Sequence, residues 1–352
     1  MCIRDSSDNV PKNIKFHKMD CCDLQKMNEV MTGVDIVYHC AATAHEGLSV
    51  FSPYEIGKNN YLASVSVFSA AISKKVKRII FCSSMARYGS QKYPFTEDMN
   101  PKPIDPYAIS KVAAENVLIN LCELNNIEWV IAVPHNIIGP RQKYDDPFRN
   151  VVSIMINRML QKKAPIIYGD GEQKRCFSYI DDCLSCLLPM LDQKNLNKQI
   201  INIGPDEEFI TINKLYEKIS NLMKFNLDPI YVEDRPNEVK HAYCSSEKAR
   251  KILNYKTEVN LEMSLKKIME LIPGASNQLP EKDLDNIEKN MEKWKFIIQS
   301  MTNQEKQDPD LINSSRIKRI AKGSGRTEKE IKELLNRYKQ SKQMFKASKG
   351  RN

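Results

Sequence analysis

The segments VDIVYHC at residues 34–40 and KRIIFCS at residues 77–83 decide the fold of the first part of this chain. Both are short, apolar and rich in Ile and Val, which is typical of strands covered on both faces of a sheet. Helical patterns alternate with such segments, so the sequence predicts an α/β fold with a Rossmann-like parallel sheet. The other predicted strands are residues 14–19, 129–135, 164–168 and 199–204, and the predicted helices are residues 60–73 and 107–125.

Length and composition define the class of protein. The 352 residues fit two domains, and 41% hydrophobic residues are enough to bury a substantial core. The sequence has no run of about 18 apolar residues, so we expect no membrane span. The segment MCIRDSSDNV at residues 1–10 lacks the apolar core of a secretory signal, so we expect a cytoplasmic protein with reduced cysteines. The CxxC pair Cys183 and Cys186 has no partner pair at zinc-like spacing, so we predict no metal site.

Charge divides the chain near Met263. Residues 1–263 hold 33 Lys and Arg against 32 Asp and Glu, a net +1, whereas residues 264–352 hold 20 against 12, a net +8. All ten cysteines lie in the first part. The asymmetry indicates either a polyanionic partner for the second part or a solvated helical face.

The second part has no candidate strands. Helical patterns cover residues 282–302, 308–322 and 327–346, and a Gly-Ser-Gly turn separates the last two. The sequence therefore predicts an α/β domain at residues 1–262, followed by an all-α helical domain with a helix-turn-helix at residues 263–352.

The strongest local signal for chemistry is the segment from Tyr107 to Lys111, YAISK. Residues i and i+4 of a helix share a face, and a nearby ammonium lowers the pKa of a phenol from its usual value of about 10. Such a tyrosine serves as an acid or base near neutral pH. Ser84 follows a predicted strand, where its hydroxyl can hydrogen-bond the same substrate oxygen. On its own, YxxxK also occurs by chance on surface helices.

With this context the sequence resembles the extended short-chain dehydrogenase/reductase family, specifically its NAD-dependent sugar-nucleotide epimerases, from about residue 15 to residue 272. VDIVYHCAAT, FCSSMARYG, PYAISK, PHNIIGPRQ, YGDGEQKRCFSYIDD and RPNEV carry the resemblance, in that order. It implies NAD as cofactor and a nucleotide sugar as substrate. The implied catalytic residues are Ser84, Tyr107 and Lys111; the implied cofactor contacts are Asp20, Cys21, Ala41, Ala42, Asn60, Ser83, Tyr107 and Lys111; the implied substrate contacts are Asn136, Arg175 and Arg235.

The resemblance also implies a reaction like that of UDP-glucose 4-epimerase. Tyr107 as a phenolate takes a proton from a sugar hydroxyl while hydride passes to NAD, the keto sugar turns over, and hydride returns to its other face. Lys111 holds the cofactor ribose and tunes Tyr107, and Ser84 polarises the substrate oxygen. Arg175 and Arg235 suit a diphosphate because guanidinium binds phosphate bidentately.

Two departures from the family limit this interpretation. The related 4,6-dehydratases need an acidic pair where this chain has Met85 and Ala86, which leaves an epimerase or a ketoreductase. The family also opens with a strand and a GxxGxxG turn that holds the pyrophosphate, but the first glycine here is Gly33. That strand would lie beside VDIVYHC, which we expect to form an unpaired edge. We therefore expect the chain to bind NAD poorly and to be inactive.

The basic segment SSRIKRIAKGSGRTEKE, residues 314–330, has features of its own. Thr327 and Glu330 form a predicted capping box after the Gly-Ser-Gly turn. The segment strongly resembles the methionine-rich M domain of the signal recognition particle GTPase subunit, over about residues 264–351. This implies shape- and phosphate-based, salt-sensitive binding of signal recognition particle RNA, with weak signal-peptide binding. The implied RNA contacts are Ser315, Arg316, Arg319, Gly323, Ser324 and Gly325.

Three functions from different classes follow. The chain is an epimerase impaired by truncation, an RNA-binding protein of protein targeting, or a non-functional chimera of the two. The segment LEMSLKKIMELIPG, residues 261–274, fits both families, and two truncated parts with unrelated roles favour a joining error over a genuine fusion. The resemblance further suggests a homodimer through the helices around Tyr107.

Overall fold

The computed structural model describes residues 10–11, 13–140, 142, 150–207, 209–234, 243–270, 297–298, 300–307, 309–332 and 334–335. The chain divides into two compact units, Met1–Ser276 and Asn277–Asn352. The described part of the first unit alternates strands and helices, and the described part of the second is helical. The predicted α/β and all-α classes are therefore confirmed.

A parallel sheet of four strands forms the centre of the first unit. The strands of this unit are β1 (Ile36–His39), β2 (Arg78–Cys82), β3 (Glu128–Pro134), β4 (Ile137–Ile138), β5 (Ile166–Tyr168), β6 (Lys174–Arg175), β7 (Ser178–Tyr179), β8 (Gln199–Ile203), β9 (Ile210–Thr211) and β10 (Ile230–Val232). The central sheet has the order β1-β2-β3-β8. Three pairs of short strands accompany it: β4 with β7, β5 with β10, and β6 with β9.

The helices of the first unit cover both faces of the central sheet. They are α1 (Leu24–Val30), α2 (Glu46–Ser49), α3 (Pro53–Ile56), α4 (Ala63–Ser73), α5 (Pro106–Asn125), α6 (Val151–Leu160), α7 (Ile180–Leu187), α8 (Ile212–Met223), α9 (Glu247–Leu253) and α10 (Leu261–Glu270). A π-helical turn, Gly57–Leu62, leads into α4, and a 3-10 turn, Met85–Tyr88, follows β2. Among the described residues, no helix combines the length and apolar character needed to cross a bilayer.

Strand β2 explains why the apolar runs predict a covered sheet. Ile79 and Phe81 join one buried cluster, which includes α4 and α5 side chains such as Phe68 and Leu118. Ile80, between them, joins a second cluster on the opposite face. Alternate residues of a strand point to opposite faces, so a strand that is apolar throughout needs a helical layer on each side.

One predicted strand is wrong and one expected edge is confirmed. Residues 14–19 form no strand, because a strand needs a hydrogen-bonded neighbour and no described strand pairs with this segment. Within the described residues β1 pairs only with β2 and so forms an edge of the sheet. The predicted helix at residues 282–302 falls largely outside the described residues.

The second unit is built on the helix Ser314–Ser324, which follows a shorter helix, Asn303–Gln307. The apolar face of the helix Ser314–Ser324 contributes to a cluster formed by Ile297, Met301, Ile317, Ile320 and Ile331. The helix ends at Gly325, whose φ of 63° is the left-handed conformation that favours glycine. Residues 328–332 and 334–335 are again helical. The helix-turn-helix stays a prediction, because the second helix is described only as far as residue 335.

Candidate active site and candidate RNA-binding helix

Helix α5 presents Tyr107 and Lys111 on one buried face. The helix starts where the Asp105 carboxylate accepts a hydrogen bond from the Ala108 N–H at 2.9 Å, and Pro106 opens its first turn. Tyr107 is 8% exposed and Lys111 3% exposed. The cap therefore fixes the register that turns the YxxxK spacing into a pair of side chains facing the sheet.

The carboxyl end of β2 brings the three predicted catalytic residues together. Ser84 caps the following 3-10 turn, since its hydroxyl accepts a hydrogen bond from the Ala86 N–H at 3.2 Å. The same Ser84 hydroxyl lies near the Tyr107 phenol and acts to lower its pKa. The Lys111 ammonium donates to the Cys82 carbonyl at 2.7 Å. Ser84, Tyr107 and Lys111 thus form one cluster at the edge where open α/β sheets bind ligands.

The protonation state of this cluster differs from the sequence-based expectation. Burial raises the pKa of Tyr107 to about 12, and the Ser84 hydroxyl only partly offsets it. Burial lowers the pKa of Lys111 to about 8, against the opposing effect of the thiols of Cys82 and Cys40. The predicted lowering of the Tyr107 pKa by Lys111 is therefore wrong for this structure, because burial dominates and the ammonium bonds the Cys82 carbonyl instead.

A buried ionic network that was not predicted from the sequence lies behind the cluster. Glu115 on α5 pairs with the Arg87 guanidinium at 3.0 Å, and their side chains are 2% and 3% exposed. Glu115 also accepts a hydrogen bond from the Ser83 hydroxyl. Arg87 donates to the Tyr88 hydroxyl at 3.2 Å. The spacing of Glu115, four residues after Lys111, was the available signal. The network ties both sides of Ser84 to the Tyr107 helix, and it occupies the Ser83 hydroxyl that was predicted to contact the cofactor.

The predicted cofactor residues near β1 are held by Asn60, which is 1% exposed. Its amide accepts from the Thr43 N–H at 2.7 Å and donates to the Thr43 carbonyl at 3.2 Å. These bonds fix the segment after β1 that carries Ala41 and Ala42. Asn60 therefore acts by positioning the backbone of this segment.

Asp20 and Cys21 lie in the turn before α1. The Asp20 carboxylate accepts a hydrogen bond from the Cys22 N–H at 2.9 Å, and the Cys22 thiol donates to the Lys58 carbonyl at 3.4 Å. The predicted adenine contacts are thereby placed beside the π-helical turn Gly57–Leu62 that also holds Asn60.

The residues present fit the nicotinamide end of NAD. A phenol, an ammonium and a hydroxyl converge at the carboxyl ends of parallel strands, which is the donor and acceptor set that a nicotinamide ribose and a reacting oxygen require. For the pyrophosphate end, the described residues supply no glycine-rich turn between a strand and a helix of the central sheet. The fit is therefore to one half of the cofactor.

Two of the three predicted substrate residues come close together. The Asn136 amide, on a residue with φ of 42°, donates to the Cys176 carbonyl at 3.0 Å. Arg175 precedes Cys176 and lies on β6, paired with Ile210 of β9. Arg235 lies outside the described residues.

The helix Ser314–Ser324 of the second unit has one exposed basic face. Ser315, Lys318, Arg319 and Lys322 are exposed, and their spacing of three and four residues places them side by side. Ile317 and Ile320 are buried on the opposite face. The predicted RNA contacts Ser315 and Arg319 thus share a surface with two lysines that the prediction did not include.

Gly323 and Gly325, at the end of this helix, are both exposed. A methyl group added at Gly323 would lie 3.5 Å from the Ser300 side chain, whereas one added at Gly325 would meet nothing within 4 Å. The Ser324 hydroxyl donates back to the Ile320 carbonyl at 2.7 Å. There is therefore space around both glycines, most of all at Gly325.

The predicted capping box after this turn is confirmed. The Thr327 N–H donates to the Glu330 carboxylate at 2.9 Å, and the Glu330 N–H donates to the Thr327 hydroxyl at 3.3 Å. These reciprocal bonds satisfy backbone N–H groups at the start of the next helical segment.

Glu305, which is 1% exposed, organises the predicted RNA-binding arginines. Its carboxylate accepts from the Arg316 guanidinium at 3.3 Å and also pairs with Arg319. It accepts a further hydrogen bond from the Thr302 N–H at 2.9 Å. The carboxylate therefore fixes two long cationic side chains while part of each remains exposed.

We expect Glu305→Gln to make the second unit less sensitive to acid. Burial raises the pKa of Glu305, but the Thr302 N–H and Arg319 outweigh it, so the pKa lies below its usual value. A depressed carboxyl pKa contributes stability above the unfolded-state pKa, and this contribution is lost as pH falls through the folded-state pKa. The variant should lose about 2 kcal/mol at neutral pH and show a flatter pH profile below about pH 5.

Hydrogen exchange of amides in the helix Ser314–Ser324 measures this effect in the full chain. Glu328→Gln, at an exposed position, is the matched control and should leave the profile unchanged. Equal acid profiles for the wild type and Glu305→Gln would contradict the prediction.

Comparison with known proteins agrees with this division. The NAD dependent epimerase/dehydratase family matches residues 3–204, and the signal peptide binding domain matches residues 250–352. The chain is 32% identical to the putative UDP-glucose 4-epimerase of Methanocaldococcus jannaschii over 75% of this chain and 86% of that protein. The crystal structure of UDP-glucose 4-epimerase from Thermotoga maritima, with UDP-glucose, matches at 28% identity with a TM-score of 0.71, over 75% of this chain and 86% of that one.

The C-terminal part has its own relative. Over 83 residues it is 49% identical to the signal recognition particle 54 kDa protein of Pyrococcus abyssi, which covers 24% of this chain and 19% of that protein. The two matched families and the two structural units together confirm the predicted chimeric arrangement. The chain therefore belongs to the NAD-dependent epimerase/dehydratase family and carries a signal peptide binding domain of the signal recognition particle type at its C-terminal end.

Proposed function

We propose that the α/β unit carries the chemistry of a UDP-sugar 4-epimerase. The observation that carries the proposal is the buried Tyr107 phenol, which lies near Ser84 and shares a buried helix face with Lys111. Two of the similar proteins have names that specify UDP-glucose 4-epimerase. The same cluster serves a ketoreductase, and the product of the reaction distinguishes the two.

In this proposal each residue has a defined task. The chemistry that NAD would supply when bound is a reversible hydride transfer with the sugar carbon. Tyr107 takes the hydroxyl proton and later gives it back, and Ser84 holds the same oxygen in line with the phenol. Lys111 supplies positive charge beside the cofactor ribose. Arg175, Asn136 and Arg235 are the proposed contacts of the nucleotide diphosphate.

The 3-10 turn after β2 argues against dehydration. Elimination of water needs an acid and a base beside the reacting sugar, and this turn offers Met85 and Ala86 there. The Ala86 N–H instead donates to the Ser84 hydroxyl. We therefore expect conversion of UDP-galactose to UDP-glucose without release of a dehydrated keto sugar.

A glycine-rich turn whose backbone N–H groups hold the pyrophosphate contributes much of the affinity for NAD. The described residues supply no such turn between a strand and a helix of the central sheet. We therefore expect the 352-residue chain to bind NAD weakly. Weak binding lowers occupancy, which millimolar NAD can offset by mass action. Sugar turnover at saturating NAD tests the chemistry, and calorimetric NAD titration tests the affinity. Tight NAD binding would overturn the weak-binding prediction, and no epimer product at saturating NAD would overturn the epimerase proposal.

A second proposal concerns the C-terminal unit, which we propose binds signal recognition particle RNA. The observation that carries it is the exposed face of Ser315, Lys318, Arg319 and Lys322, backed by Glu305, which orders Arg319. Cations on one face neutralise phosphates and release counterions, which makes the affinity depend on salt.

We expect Lys318→Ala and Lys322→Ala each to weaken RNA binding and to reduce the slope of log affinity against log salt by about 0.7–0.9. The measurement is a salt series of gel shifts with signal recognition particle RNA. Lys251→Ala, an exposed lysine of α9, is the matched control and should change neither quantity. An unchanged slope in both variants would contradict a phosphate contact by this face.

We also propose a cytoplasmic location and a homodimer formed through α5. Ile109 and Leu124 on α5 are 53% and 72% exposed, which provides apolar surface for a second copy. Light scattering distinguishes a dimer from a monomer. If neither sugar turnover nor RNA binding is found, the non-functional chimera becomes the supported function class.

A further inference from the structure

Two cysteines stand side by side at the carboxyl edge of the central sheet. The parallel register pairs His39 of β1 with Phe81 of β2, so Cys40 and Cys82 follow at equivalent positions. Their sulfur atoms lie 3.4 Å apart. Neighbouring strands are about 4.8 Å apart, which falls within the Cα separation of about 4.4–6.8 Å that disulfides span. The backbone therefore already holds the two thiols within reach of a bond.

We propose that Cys40 and Cys82 are a redox-active thiol pair that forms a reversible disulfide at this edge. Cys40 is exposed and Cys82 partly exposed, so a small oxidant can reach the pair. The hydrogen bond between the two thiols acts to lower the pKa of Cys40, and Cys40 is also the more exposed of the two. Cys40 is therefore the attacking thiolate and Cys82 the resolving thiol.

The oxidation is balanced with hydrogen peroxide as the oxidant. The Cys40 thiolate attacks one peroxide oxygen, which forms a sulfenic acid and releases hydroxide. The Cys82 sulfur then attacks the Cys40 sulfur, a sulfur–sulfur bond forms, and the sulfenic oxygen leaves as water with the Cys82 proton. Peroxide gains two electrons and the two thiols lose them. A dithiol reductant reverses the bond by exchange.

The position of the pair links it to the candidate active site. The Cys82 carbonyl accepts the Lys111 ammonium at 2.7 Å, and Cys82 leads into Ser83 and Ser84. Cys40 leads into Ala41, on the segment predicted to face the cofactor. A bond between the two strand ends alters the geometry on both sides of the site, so the oxidised chain has lower turnover. This consequence rests on the proposed epimerase function, whereas the disulfide itself does not.

The chain contains its own control pair. Cys183 and Cys186 on α7 are 1% and 0% exposed, and burial raises the pKa of each to about 12. In the full chain treated with graded hydrogen peroxide, alkylated and digested under non-reducing conditions, mass spectrometry should find a Cys40–Cys82 crosslink. The crosslink should form at about a ten-fold lower peroxide dose than any loss of Cys183 or Cys186 thiol, and dithiothreitol should remove it.

Two variants sharpen the measurement. Cys82→Ser removes the resolving thiol, so dimedone should trap the sulfenic acid on Cys40 instead of a crosslink. Cys40→Ser should leave Cys82 reduced at the same dose. Oxidation that falls first on Cys21, Cys22 or Cys183 while Cys40 and Cys82 stay reduced overturns the proposal, and this holds for the wild-type chain even if a variant fails to fold. A crosslink without any sugar turnover supports the pair and contradicts the epimerase proposal alone.

Discussion

Replacement of Tyr107 by Phe should reduce sugar turnover by about 10³-fold at saturating NAD, within the range of about 10²–10⁴ for loss of a general acid–base. The phenol is the ionisable group of the cluster whose pKa Ser84 acts on, and Phe keeps the ring while removing the proton that the phenol transfers. Conversion of UDP-galactose to UDP-glucose, followed by chromatography, measures the loss. The effect should fall on kcat, because the ring still fills its buried position.

Tyr54→Phe is the matched control. Tyr54 is 78% exposed on α3, so the substitution should leave turnover within about two-fold. Ser84→Ala should act in the same direction as Tyr107→Phe but less strongly, because the Ser84 hydroxyl lowers the Tyr107 pKa against the effect of burial. Turnover above a tenth of wild type in Tyr107→Phe would show that another group moves the proton.

The pH dependence of the reaction should report the same group. With its pKa raised to about 12 by burial, Tyr107 is protonated at neutral pH, and only its ionised form removes a proton from the sugar. Turnover should therefore rise with pH as long as the fold persists.

The sequence predicts a structural feature when residues close together in the chain cause that feature. The continuous apolar run of β2 and the Asp105-Pro106 start of α5 each specify a local structure, so both were predictable. Residues 14–19 have a strand-like composition and yet form no strand, since pairing depends on a neighbour far away in the chain. The partner of Lys111 depends on where the Cys82 carbonyl lies, which no spacing reveals.

The contacts between different strands and helices could not be predicted from the sequence for the same reason. Cys40 and Cys82 are 42 residues apart and become neighbours only through the register of β1 on β2. Arg87 and Glu115 meet because the turn after β2 packs against α5. From the sequence alone, Arg87 in SSMARYG would be expected at the surface. Only its burial beside the Glu115 carboxylate shows its role.

The segment that fits both families shows that the packing of the first unit accommodates a sequence that resembles the other family as well. In helix α10 the side chains of Leu261, Leu265 and Ile268 enter one apolar cluster with Leu215 and Ile219 of α8. Leucine and isoleucine at spacings of three and four residues supply what this groove needs, whichever family contributed them. The α/β unit therefore keeps a packed last helix, and the position of the family boundary near Met263 stays a prediction.

Arg87→Met should destabilise the first unit by about 3–5 kcal/mol, because it leaves a buried carboxylate without its cation. Glu115 and Arg87 are 2% and 3% exposed and 3.0 Å apart. Burial already raises the pKa of Glu115, and Arg87 is the largest opposing effect. A raised carboxyl pKa costs stability above the folded-state pKa and costs none below the unfolded-state pKa. The deficit in urea unfolding should therefore shrink as pH falls toward about 4.5.

The double variant Arg87→Met with Glu115→Leu separates the charge from the packing. Apolar replacement of both partners of a buried pair is often near neutral, so the double variant should recover all but about 1–2 kcal/mol, the remainder being the lost acceptor of the Ser83 hydroxyl. Lys251→Met, which breaks the exposed pair with Glu247, should cost less than about 1 kcal/mol. Equal losses in the single and double variants would mean that shape, and not charge, holds the Ser84 turn against the Tyr107 helix.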